Sequence, residues 1–110
     1  MTPEQICDVL VKQGIIQLYD SYPDGTRRYF SSHMDSMEPQ LAEKFIAEPR
    51  VAMAVMERLA AIEIDTIGNP WWVAATKPGQ PHKYSKVTGN NLSAAIIEAG
   101  AAALQEQNDD

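Results

Sequence analysis

Three short β-type runs follow one another between Ile62 and Val87 with only turn-forming residues between them, and this spacing constrains the fold most. Ile62-Glu63-Ile64-Asp65-Thr66 alternates apolar and polar residues with period two, the pattern of a strand with one buried face. Gly68-Asn69-Pro70 breaks it, and Trp71-Trp72-Val73-Ala74-Ala75-Thr76 forms the next run. Lys77-Pro78-Gly79-Gln80-Pro81 cannot continue a ladder, and Lys83-Tyr84-Ser85-Lys86-Val87 supplies the third strand. Parallel neighbours need a long crossover, so connections this short predict antiparallel pairing.

Helices are expected on either side of this segment. Thr2-Pro3-Glu4-Gln5 fits a capping box, with Thr2 as N-cap, Pro3 at the first helical position and Gln5 three residues after the cap. Ile6, Val9, Leu10 and Gln13 follow at helical spacing, and Gly14 is placed to end the helix in a left-handed conformation. Ile15 to Tyr19 is β-branched and aromatic, Tyr22-Pro23-Asp24-Gly25 is a turn, and Thr26 to Phe30 returns, which together predict a hairpin. The alternative is a first helix extended through Leu18. Pro39 and Pro49 each open a helical segment, over Gln40–Ile46 and Arg50–Ala61. Val51, Val55 and Leu59 form one stripe of the second segment, flanked by Ala52, Met56 and Ala60, and make it the expected core helix. Asn90 or Asn91 caps a last helix from Leu92 to about Gln105, whose stripe runs through Leu92, Ala95, Ile96, Ala99 and Ala103, and the tail from Gln107 to Asp110 should fray. The predicted class is α+β: a small antiparallel sheet, made of the hairpin and the strand-hairpin-strand segment, packed against about four helices.

Composition sets the scale. A chain of 110 residues, 45% hydrophobic and 22% charged, is expected to form one domain over 1–110 with one core. The longest apolar run, Val51–Met56, is far short of the ~20 residues of a membrane span. Met1-Thr2-Pro3-Glu4-Gln5 has no basic region of the kind a signal peptide carries, and Cys7 has no second cysteine to pair with. Both point to the cytoplasm. A net charge of -6 disfavours unspecific adhesion to nucleic acid or anionic lipid and permits a basic protein partner.

The residues that carry chemistry are few. His33 and His82 lie in expected loops or strand edges, and no metal-ligand spacing or glycine-rich phosphate loop occurs. Cys7 sits early in a helix, where a thiol can be activated, although a small apolar core residue is the simpler reading. His33 with Asp35 and Glu38 matches no established ligand pattern. Met53 and Met56 read as core filler, while Met34 and Met37 are placed to cover one end of the core. No catalytic residue, cofactor or metal is therefore assigned. The most informative surface is Trp71 to Lys86, where Trp71, Trp72 and Tyr84 stand among Lys77, His82, Lys83 and Lys86. Adjacent strand residues point to opposite faces, so at least one tryptophan is expected in the core and the other can anchor an interface. With Tyr84, Lys83 and Lys86 the same surface could stack and neutralise single-stranded nucleic acid. Asp35, Glu38, Glu43, Glu63 and Asp65 belong to an acidic stretch that could imitate a phosphate backbone or simply be solvated.

Trp71-Trp72-Val73, the proline-glycine loop, Tyr84-Ser85 and then Leu92-Ser93-Ala94-Ala95-Ile96-Ile97-Glu98-Ala99 resemble the small bacteriophage "ABA sandwich" proteins. In that family a tryptophan-bearing strand leads through a polar turn to a closing helix. The likeness covers the last third of the chain, and the Pro23-Asp24-Gly25 hairpin has no counterpart in it. It implies a phage or prophage accessory protein and transfers no catalytic residue. The expected function is non-enzymatic binding to a host or phage protein, such as inhibition of a host defence complex in the manner of anti-CRISPR proteins. A small nucleic-acid-binding module is the alternative.

Overall fold

A computed structural model describes residues 1–19, 23–66, 70–79 and 84–105, with Thr66, Tyr84, Ser85 and Lys86 described by their backbone. Tyr22, Gly68, Asn69, His82, Lys83 and the tail from Glu106 lie outside the described residues. Over these residues the fold is α+β with two antiparallel sheets, one of two strands and one of three, so the hairpin and the three-strand segment do not join in the single sheet expected.

Helix α1 spans Pro3–Lys12 and begins at the capping box: Thr2 accepts from the Gln5 N–H at 3.1 Å, and the Gln5 side chain accepts from the Thr2 N–H at 2.8 Å. Gly14, at φ 75°, turns the chain away from the helix. Ile15 and Ile16 are buried in this turn, so strand β1 is only Gln17–Tyr19, paired with β2 (Arg28–Phe30). The extended first helix does not form. Asp24 Oδ1 accepts from the Thr26 N–H at 2.9 Å, and Gly25 takes φ 82° in the hairpin turn.

The helix expected after Pro39 is replaced by a single 3₁₀ turn, Ala42–Lys44. Gln40 instead exchanges two backbone hydrogen bonds with Tyr29, each of 2.8 Å, and this pairing holds the segment extended. Helix α2, Pro49–Met56, starts at Glu48, which accepts from the Arg50 N–H. It stops short of the expected Ala61 because strand β3 begins there, and Ala60 already donates to Thr76 O at 2.9 Å. Arg58 lies past the last turn of α2. It donates to Gln13 O (2.9 Å) and Ala54 O (3.3 Å), setting one cation against the C-terminal carbonyls of both α1 and α2. Among the described residues, three α-helices thus stand where about four were expected.

Strands β3 (Ala61–Thr66), β4 (Trp71–Thr76) and β5 (Tyr84–Gly89) pair antiparallel in that order. Helix α3, Leu92–Gln105, begins where the Asn91 side chain accepts from the Ala94 N–H at 3.0 Å. It packs against β4, β5, α1 and α2. The central helix is therefore α3, whereas the sequence pattern pointed to α2. Ala95, Ala99, Gly100, Ala101 and Ala103 are all buried, because small side chains let several neighbours approach the helix at once. Val51, Val55, Val73, Ala75, Ile96 and Ile97 join Leu10, Ile16, Tyr29 and Phe45 in one core cluster. Met56 and Met34 pack against that cluster, whereas Met53 is 61% exposed and Met37 55%, so neither of these fills or covers it. Among the described residues, no helix is long and apolar enough to cross a membrane.

Candidate binding face on the three-stranded sheet

Register divides the three-stranded sheet into two faces. Val73 sits opposite Ile64 and Val87, and Ala75 opposite Ile62 and Ser85. Val73 and Ala75 are core residues with Ile62 and Val87 packed beside them, so this is the face that α3 covers. Trp72 alternates to the other face, at register positions shared with Asp65 and Thr88. Glu63, Ala74 and Lys86 form the next rung of that face, and Thr76 and Tyr84 the one after. Ala74 is buried without belonging to the core cluster, as expected for a small residue lying among larger neighbours on the outer face.

Trp71 shares the face of Val73 but lies on the terminal rung, opposite Thr66 and Gly89. Both tryptophans are half-buried and neither joins the core, which corrects the expectation that one of them would. Valine and alanine already fill the space under a helix made of small residues. A shallow depression of about 340 Å³ is lined by Asp65, Pro70, Trp72 and Thr88. It presents an indole beside a carboxylate on a sheet surface.

The remaining candidates are dispersed. Lys77 is only 5% exposed, which withdraws it from any cationic surface beside Trp72. Lys83 and His82 lie outside the described residues. Arg50 clasps Asp35 in a two-pronged ion pair of 2.6 and 3.0 Å, which holds the Asp35 carboxyl below the usual carboxylate range. His33 shares a depression of about 220 Å³ with Arg50, Met53, Ala54 and Glu57. Glu38 donates its own N–H to Ser36 Oγ in an exposed turn. Glu43 lines a different depression with Glu4, Asp24 and Arg27. The acidic set thus divides between the α2 entrance, the hairpin end and the outer face of β3. Among the described residues, no group of three or more His, Cys, Asp or Glu could hold a metal ion.

Cys7 is fully buried, with its Sγ 3.7 Å from Ala42 O. Burial, followed by the negative charges of Asp8, Glu43 and Glu4, pushes its pKa up to about 12. That is the opposite of nucleophile activation. Asp8 also accepts from the Tyr29 hydroxyl (3.3 Å) and pairs with Arg27 (3.1 Å), a polar clamp between α1 and the hairpin. Burial and then Asp8 raise Tyr29 to about 12. The clamp combines residues 19 and 21 positions apart, a separation at which sequence spacing carries no signal. No protein-family model matches this chain, and neither does a curated protein or a solved structure.

Proposed function

We propose that the protein acts by stoichiometric binding to another protein through the outer face of β3–β4–β5, with Trp72 as the anchor. The supporting observation is the position of Trp72: half-buried, outside the core, and beside a depression on the face turned away from α3. A large aromatic held by a rigid strand provides contact area at little entropic cost, as interface hot spots do. The likeness to phage accessory proteins extends the reading to a phage-type factor in the bacterial cytoplasm that occupies part of a host defence complex.

Nucleic acid suits this face less well. Glu63 and Asp65 stand on it, and a phosphate backbone would meet both. The test captures a partner from bacterial lysate, identifies it, and measures its affinity for Trp72→Ala and Trp71→Ala. Trp72→Ala should weaken the complex by at least about 2 kcal/mol, roughly thirty-fold, while the circular dichroism spectrum is unchanged. Equal binding by both variants refutes the proposal, and tight oligonucleotide binding that falls steeply with salt replaces it.

A further inference from the structure

We propose that the outer edge of β3 accepts an extended segment of the partner as a fourth antiparallel strand, one that carries basic residues at alternate positions. This rests on the reading that the sheet is a docking surface, and it specifies the chemistry of what docks. Among the described residues β3 pairs only with β4, and no described strand lies along its other side. Ala61–Thr66 contains no proline, and its two charges, Glu63 and Asp65, have one sign and share one face, so they oppose an acidic strand and not a basic one. Ile64 is 42% exposed although it lies on the helix-facing side, because α3 packs over β4 and β5. An added strand would complete both the ladder and this apolar margin.

Charge selects the occupant. Glu63 and Asp65 project on one face at i and i+2. A second copy pairing through the same edge, with equivalent faces aligned, would set Glu63 against its counterpart or against Asp65. Like charges directly opposite one another destabilise a sheet, and a net charge of -6 repels a second copy before contact. The chain's own Glu106-Gln107-Asn108-Asp109-Asp110 is acidic too and matches no better. Lys or Arg at alternate positions would fall opposite Glu63 and Asp65, with intervening β-branched residues beside Ile64.

The probe is a synthetic octapeptide of alternating lysine and valine. The controls are the same composition in two blocks and an alternating glutamate–valine peptide. Amide-resolved hydrogen exchange on the whole protein should show protection on β3 amides, at least ten-fold for the alternating lysine peptide and absent for both controls. Glu63→Lys with Asp65→Lys should reverse the preference, taking the glutamate peptide and losing the lysine one. No β3 protection, equal protection by the blocked peptide, or a β3-mediated dimer in sedimentation would each overturn the proposal. The peptide series on the native chain decides the matter even if the double variant misfolds. Loss of edge binding with Trp72-dependent capture intact would remove only this inference. Edge binding without any role for Trp72 would remove only the face.

Discussion

Replacing Gly100 by alanine should destabilise the protein, although the same change in an exposed helix is stabilising. Gly100 sits in the middle of α3 against α2, and a Cβ built there overlaps Val55 Cγ1 and comes within 3.6 Å of Leu59 Cδ1. Val55 is fully buried and β-branched, so it is held to one rotamer in its helix and cannot swing aside. The glycine-to-alanine change returns about 1 kcal/mol of helix propensity. Forcing a methyl into a packed core costs about 1–3 kcal/mol, and a direct overlap with an immobile side chain belongs near the upper end. The net expectation is a loss of about 1–2 kcal/mol, read as a melting temperature lower by about 5–10 °C.

A double-mutant cycle in urea isolates the cause. Val55→Ala alone should cost about 2 kcal/mol or more through lost burial and a new cavity. Combined with Gly100→Ala, the new Cβ occupies the vacated space, so the two costs should fall short of additivity by about 1 kcal/mol or more. Gly100→Ala melting at or above the native temperature would refute the reasoning. So would costs that add within about 0.5 kcal/mol.

Two further predictions concern buried polar groups. Cys7 should resist a thiol reagent such as DTNB until the protein unfolds. Burial raises its thiol from 9.0 to about 12, so its contribution is complete below pH 9 and is lost progressively as the pH rises above it. Tyr29 adds a loss of the same sign above its ordinary 10.0. Urea denaturation at pH 8 and pH 10 should show this decline, and Cys7→Ala should reduce it. Ser31 donates to Ile15 O (3.0 Å) and accepts from the His33 N–H (3.1 Å) in a buried position, so Ser31→Ala should cost about 1–3 kcal/mol in the same assay.

What was legible in the sequence is what local chemistry decides. Thr2 and Gln5 close their capping box within three residues, Gly14 and Gly25 take the left-handed conformations their turns require, and three strands pair across short connections. What was not legible depends on partners far along the chain. Gln40 is extended because Tyr29 claims its backbone, and that contact outweighs the helical pattern of Leu41 and Phe45. The relative importance of α2 and α3 was inverted because side-chain hydrophobicity ranks α2 first, while centrality in the fold follows smallness. Gly100, in the middle of α3, leaves the space that Val55 and Leu59 occupy. The two tryptophans misled for a related reason: an alanine-rich helix packs closely on Val73 and Ala75 and leaves no room for an indole between.

The candidate surface follows from the same geometry. A helix is about 10 Å across and strands lie about 4.8 Å apart, so one helix running over a sheet shields about two strands. In this fold α3 takes β4 and β5, and β3 is left as an overhang, apolar at Ile64 on one side and acidic at Glu63 and Asp65 on the other. An overhang of that composition discriminates by sidedness. A uniformly basic segment would match the acidic side but set charges against Ile64, and a uniformly apolar one would dry the exposed Glu63 carboxylate without pairing it. Only an alternating strand meets both sides in one register, so the selectivity of the edge and the exposure of Ile64 have a single origin in how far α3 reaches.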